Sequence, residues 1–176
     1  MLIHQYQSSW IKDFENIKEV ILSNLNDIEL QVEHVGSTSV KGLSAKPIID
    51  IDVVYDTTVS FDKLKEGLYA IGYHHIGDLG ITDREAFKRE QRKVDHPILD
   101  CIDHHLYVCP IHSVELHRHI TFRDYLRANE KERKEYEKIK IEIAEQANQN
   151  KTQYALLKED AARDFVESVL RKAEGK

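Results

Sequence analysis

Cysteine is scarce in this chain. Cys101 and Cys109 are the only two, and nothing around them suggests secretion, so a reduced, cytoplasmic setting is expected rather than a disulfide framework. Long apolar runs are missing as well. No stretch approaches the roughly 18 residues of a membrane span, and Met1-Leu2-Ile3-His4-Gln5 has neither a basic leader nor an apolar one, so no membrane partner is expected. Positive charge is in deficit: the formal net charge is −6 and the pI about 5.9. A protein tracking duplex nucleic acid needs the opposite sign, so nucleic acid is disfavoured as a partner. Internal repeats, low-complexity tracts and long linkers are absent, which makes one domain the economical reading of 176 residues.

Several catalytic signatures are lacking too. No His-Glu-x-x-His or Cys-x-x-Cys occurs, and Ser37 does not stand in Gly-x-Ser-x-Gly, so zinc hydrolysis and serine or cysteine nucleophiles find no motif. Eight of the ten histidines fall between His74 and His119. The adjacent pairs His74-His75 and His104-His105, however, point to opposite faces of a strand. A shared zinc site is poorly served by that spacing.

The segment Glu33 to Val53 stands out. Gln31 to Val35 alternates polar and apolar and reads as a half-buried strand. Gly36-Ser37-Thr38-Ser39 follows as a small-residue turn, and a second strand, Ile48 to Val54, is apolar except for Asp50 and Asp52. Positions i and i+2 of an extended chain share a face, so the two carboxylates project together. Burying two like charges is costly without a cation. Mg²⁺ or Mn²⁺ is the simplest compensation, because hard ions take carboxylate oxygens and keep positions for water or phosphate. The turn offers close backbone approach and amide donors, as a phosphate requires. Acidic platform beside phosphate cradle is the chemistry of nucleotidyl transfer.

The Gly-Ser turn followed by Asp-apolar-Asp-apolar resembles the nucleotidyltransferase superfamily of polymerase β-like folds. More narrowly, His34-Val35-Gly36-Ser37-Thr38-Ser39, Gly42-Leu43 and Ala45-Lys46-Pro47-Ile48-Ile49-Asp50 resemble the signature of the GrpB family. The likeness is echoed by His104-His105-Leu106-Tyr107-Val108-Cys109 and by Phe122-Arg123-Asp124-Tyr125-Leu126-Arg127, and it runs from about Tyr6 to Val169. The chain departs from that pattern at Lys41, where the family has proline, and at Tyr107, where it often has histidine. The resemblance implies a nucleoside triphosphate held with Mg²⁺ or Mn²⁺, Asp50 and Asp52 serving as metal ligands and catalytic carboxylates. It also implies a third carboxylate on a neighbouring strand, for which Glu33, Asp100 and Asp103 are candidates, with His105 the alternative occupant.

For the nucleotide, Gly36, Ser37 and Ser39 of the turn are the candidate phosphate contacts, with Lys46, His105 and Arg123. Arg123 and Arg127 lie one helical turn apart and share a face. Arg123 is expected as a phosphate clamp or, on the competing view, in an ion pair with Asp124 or Glu130. Arg84, Arg89, Arg92 and Lys93 supply further positive charge after the Gly77–Gly80 turn. The acceptor is not specified, and the acidic balance favours a small molecule over RNA. A module that binds nucleotide without transferring it remains the rival from another class.

Along the rest of the chain, periodicity predicts a helix through Trp10, Phe14, Ile17, Ile21 and Leu25, and another from Phe61 to Ile71 stopped by Gly72. Strands are expected at Tyr73 to Gly80, around Phe87, at Ile98 to Ile102 and at His105 to Cys109. Ser113 and Asn129 read as caps of two further helices, then Gln146 to Thr152 as a polar linker and Tyr154 to Ala173 as one last helix. The expected fold is α/β (α+β): a mixed, largely antiparallel sheet with flanking helices over about residues 1–112, and a helical lobe over about 113–176.

Overall fold

The computed structural model describes residues 1–89 and 94–175; Arg92 and Lys93, two of the expected cations, lie outside them. Helix α1 (Ser9–Asn24) presents Trp10, Phe14, Ile17 and Ile21 as one buried stripe. Strands β1 (Leu30–Val35) and β2 (Ile49–Tyr55) are separated by a single 3₁₀ turn, Ser37–Ser39. Helix α2 (Phe61–Ala70) leads to β3 (Tyr73–Gly77), β4 (Glu85–Arg89) and β5 (His104–Pro110). These five strands form one sheet in the order β1-β2-β5-β4-β3. Only β2 and β5 run parallel; the other three pairings are antiparallel. The mixed α+β architecture expected from the sequence is the one observed.

The period-2 alternation of β2 divides the molecule. Ile49, Ile51 and Val53 face the main core, with α1, α2, Leu106 and Val108. Asp50, Asp52 and Val54 face the other way, toward the C-terminal helices. There α3 (Val114–Ala128) starts at Ser113, whose hydroxyl accepts from the Leu116 amide at 3.2 Å. α4 (Glu130–Gln146), α5 (Lys151–Ala161) and α6 (Arg163–Ala173) complete the layer. Among the described residues no helix is long and apolar enough to cross a membrane.

Three expectations are corrected. Residues 98–102 form turns rather than a strand, because Ile98 and Leu99 are taken into the core by a compact loop capped by Asp100 and His96. The last helix is two, broken at Ala162, which is buried against Val40, Leu43, Leu126 and Tyr136. The linker shrinks to residues 147–150. Asn150 there caps α5 by accepting from the Gln153 amide at 3.0 Å, and Asn148 and Gln149 take positive φ, as polar turn residues tolerate.

Candidate active site

Pairing of β1, β2 and β5 sets the register of the site. Asp50 stands opposite Val35 on β1 and His105 on β5; Asp52 stands opposite Glu33 and Tyr107. The acids therefore share the face toward α3. Beyond Val35 the chain turns at Gly36, with φ 68°, so tightly that a Cβ there would lie 2.2 Å from Asp50 Oδ2. Only glycine admits that contact. The carboxylate of Asp50 is thus seated on the bend, and its Oδ1 accepts from His105 Nδ1 at 2.9 Å.

The turn is held from inside. Ser39 Oγ donates to the Gly36 carbonyl at 2.6 Å, and Thr38 Oγ1 donates to the Ile48 carbonyl at 3.2 Å. With its proton committed, Thr38 Oγ1 accepts from His34 Nε2 at 3.0 Å. His34 also stacks on Phe14, ring centroids 4.6 Å apart. Burial pushes its pKa down to about 4, against the pull of Asp50. It is a neutral donor, fixed by the core.

Asp52 is 0 % exposed. Its Oδ2 accepts from His119 Nδ1 at 2.7 Å, and His119 Nε2 lies 3.3 Å from Glu115 Oε1 one turn earlier on α3. Burial alone would lower the His119 pKa, but the hydrogen bonds it donates to both carboxylates, with their charges, outweigh it and raise it to about 9. An imidazolium between two carboxylates results. Asp52 Oδ1 is buried and has no hydrogen-bond partner. An orphaned carboxylate oxygen beside Asp50 suits a hard divalent cation, which would satisfy it directly. Among the described residues no three His, Cys, Asp or Glu side chains gather as a metal cage. Mg²⁺ or Mn²⁺ would therefore take Asp50 and Asp52 from the protein and complete its shell with water or phosphate oxygens.

A cavity of about 550 Å³ opens over Asp50; Asp52, fully buried beneath His119, does not line it. Of the sequence-derived site residues, Gly36, Ser37, Lys46, Asp50 and His105 line it. Ser39 does not; its hydroxyl is turned inward to brace the bend. Arg123 is also withdrawn. Its Nη1 reaches Glu33 Oε2 at 2.6 Å and the His34 carbonyl at 3.1 Å, while Nε binds Asp124 at 2.7 Å. It ties α3 to β1 behind the bend and has no place on the cavity wall. Arg127, expected on the same face, donates to the Ser39 carbonyl at 2.9 Å. Arg84 does line the cavity, stacked 4.5 Å from the Tyr107 ring centroid.

The candidates for a third carboxylate are dispersed. Glu33 is bound to Arg123, Asp100 to Arg89 at 2.5 Å, and Asp103 precedes β5. On β5 the positions opposite Asp50 and Asp52 belong to His105 and Tyr107. Residue-level reading missed Glu115 and His119. Their i,i+4 spacing on a helix capped by Ser113 was a signal, since a buried Asp52 requires a cation from the layer above it. Lys140 and Lys158, on α4 and α5, were missed as well, because nothing local places those helices over the bend.

The GrpB protein family signature matches residues 1–172. This chain belongs to the GrpB family. A UPF0157 protein of Halalkalibacterium halodurans is 35% identical over 169 residues, covering 96% of this chain and 80% of that one. The glutamate-rich protein GrpB of Alkalihalophilus pseudofirmus is 30% identical over 171 residues, with coverage of 97% and 94%. Among solved structures, the conserved protein GrpB from Enterococcus faecalis aligns with a TM-score of 0.78 and 29% identity, covering 97% of this chain and 98% of that one. The GrpB assignment thus spans the sheet and the helical layer together.

Proposed function

We propose that this GrpB-family chain binds a nucleoside triphosphate with Mg²⁺ or Mn²⁺ on Asp50 and Asp52, and transfers the nucleotidyl group to a small-molecule acceptor. The observation that carries the reading is the contact of Asp50 with Gly36, both of which line one cavity, with Asp52 buried beneath Asp50 on the same strand face. The bound cation would supply charge neutralisation for the phosphates and the leaving pyrophosphate.

Each residue then has a task. Gly36 and Ser37 border the space for phosphate oxygens, and Lys46 adds a positive charge on the same wall. The acceptor hydroxyl attacks the α-phosphorus, an O–P bond forms, and the bond to the β-phosphate oxygen breaks with release of pyrophosphate. The acceptor's proton needs a base at the cavity wall. His105, oriented by Asp50 through Nδ1, is placed to receive it at Nε2. His119 holds Asp52 in position and balances its charge.

A second reading has its own support. Tyr107 stands opposite Asp52, and Glu33 is engaged by Arg123, so no further carboxylate joins the platform from either neighbouring strand. A nucleotide-binding module without transfer would need nothing more. Incubation with each nucleoside triphosphate and Mg²⁺, read as pyrophosphate release or self-modification, separates the two. Release abolished in Asp50→Asn and Asp52→Asn supports transfer; nucleotide-induced thermal stabilisation without release supports the module. Absence of both effects overturns both readings.

A further inference from the structure

The helical side of the cavity carries a feature that the metal platform does not use. Lys140 on α4 is 1% exposed, and its ammonium donates to the Ser44 carbonyl while lying 4.9 Å from the Tyr136 ring centroid. Lys46 Nζ lies 4.6 Å from the ring centroid of Tyr154 on α5. Lys158, one turn further along α5, is held by Tyr136 and has its pKa raised by that contact. All three lysines and both tyrosines line the one cavity. Among the described residues none of the three ammoniums forms an ion pair with a carboxylate within 4 Å.

Like charges do not gather in a half-desolvated wall without cost. Burial and the neighbouring Lys158 charge together push the Lys140 pKa down to about 7. The same two causes, in the same order, lower that of Lys46. Aromatic faces stabilise the ammoniums only in part. A surface lysine would swing into water instead. Here the backbone carbonyl of Ser44 and the two rings hold the ammoniums toward an interior space. An anion of more than one charge between them would offset that repulsion.

We propose that Lys46, Lys140 and Lys158, framed by Tyr136 and Tyr154, form a subsite for a polyvalent phosphoryl anion. Three point-charge donors on separate stems suit a tetrahedral phosphate better than a planar carboxylate, which favours the fork of an arginine. A monocarboxylate would also leave the wall with surplus positive charge. The phosphoryl group has two possible sources, the polyphosphate tail of a nucleotide or a phosphate carried by the acceptor. The subsite shares its cavity with the nucleotide reading but does not depend on the metal.

Titration calorimetry with tripolyphosphate and pyrophosphate, in EDTA and without divalent ions, tests it on the full chain. Binding is expected in the native chain and in Asp50→Asn, and about tenfold or more weaker in Lys140→Met and in Lys46→Met. Lys134→Gln, on the exposed face of α4, is the control and keeps native affinity. No binding by the native chain, or equal binding by Lys140→Met and Lys46→Met, overturns the subsite. Lys140→Met loses a buried charge rather than a packing group, and a melting temperature at or above native shows that lost binding is not lost folding. Competition between tripolyphosphate and ATP assigns the subsite to the nucleotide tail; simultaneous binding assigns it to a phosphorylated acceptor. Anion binding without any nucleotide turnover would sustain the subsite while sinking the transfer reading.

Discussion

At the scale of single residues, the site is organised by positions that accept no substitute. Gly36→Ala would drive a Cβ into Asp50 Oδ2 and strain a backbone held at φ 68°. Positive φ in a non-glycine residue costs roughly 1–3 kcal/mol, and the clash displaces the carboxylate besides. Urea denaturation should show a loss of at least that size, and any stabilisation by Mg²⁺ with nucleotide should vanish. Unchanged stability would mean the bend relaxes freely. The two aspartates on one strand face were legible in the sequence because a period of two is a purely local property. Their partners were not. His119 and Glu115 are one turn apart on α3, but which helix covers β2 is settled by packing of Leu116 against Val54, more than 50 residues away in the chain, and against Cys109. Arg123 shows the converse: of its two expected roles the ion pair with Asp124 is the one present, and its guanidinium meets Glu33 behind the bend and not the cavity.

Lys140 gives a second residue-scale expectation, with a sign that depends on pH. Its folded pKa of about 7 lies below the ordinary lysine value of 10.5. Below pH 7 the amine is charged in both states, and the folded protein bears the cost of burying that charge. Between about 7 and 10.5 the unfolded chain binds more protons, so this group favours folding increasingly as pH rises. Lys140→Met should therefore raise the melting temperature at pH 6 by more than at pH 9. An equal shift at both values would refute a buried charged amine.

Among the elements, α3 has the most consequence, since it brings Glu115 and His119 over β2 and Arg123 and Arg127 against the bend. Its start depends on the Ser113 hydroxyl capping the Leu116 amide. Ser113→Ala should cost about 1 kcal/mol, the usual worth of such a cap, measured by urea denaturation. The effect on the site should exceed that figure's modest size, because Glu115 lies in the first turn. His119→Gln probes the other end of the contact. It removes the cation facing a fully buried Asp52, and breaking a buried pair costs about 3–5 kcal/mol. The loss belongs to the apo protein and should shrink when saturating Mg²⁺ is added, the cation taking over part of the neutralisation. A loss insensitive to Mg²⁺ would argue against a cation at Asp52. Helices α5 and α6 show why an element can be legible while its boundary is not. Their apolar positions are continuous in period, and only the burial of Ala162 in a pocket formed by α3, α4 and the segment after the bend interrupts them.

For the whole molecule, the question is whether the sheet and the helical layer unfold together. The joins between them are numerous and of different kinds. Leu2 and Ile3, at the start of the chain, pack with Ile143, Ala147 and Tyr154. Val40 and Leu43, just past the bend, pack with Leu126, Tyr136 and Ala162. Glu137 accepts from the Ser44 amide at 2.9 Å, and Arg127 and Arg123 bind backbone carbonyls of residues 39 and 34. Neither layer can be removed without exposing apolar surface and orphaning polar groups of the other, so a single cooperative transition is the physical expectation. Trp10, the one tryptophan, sits in the main core under the sheet and reports on that layer alone. Far-UV ellipticity is weighted toward the helices, four of the six belonging to the other layer. Fluorescence and ellipticity curves in urea at neutral pH should therefore superimpose, with one midpoint and one slope. A separate, earlier ellipticity transition would show that the helical layer detaches first. In that case the cavity between the layers would open before the sheet loses its order, and nucleotide or polyphosphate should delay the early transition selectively.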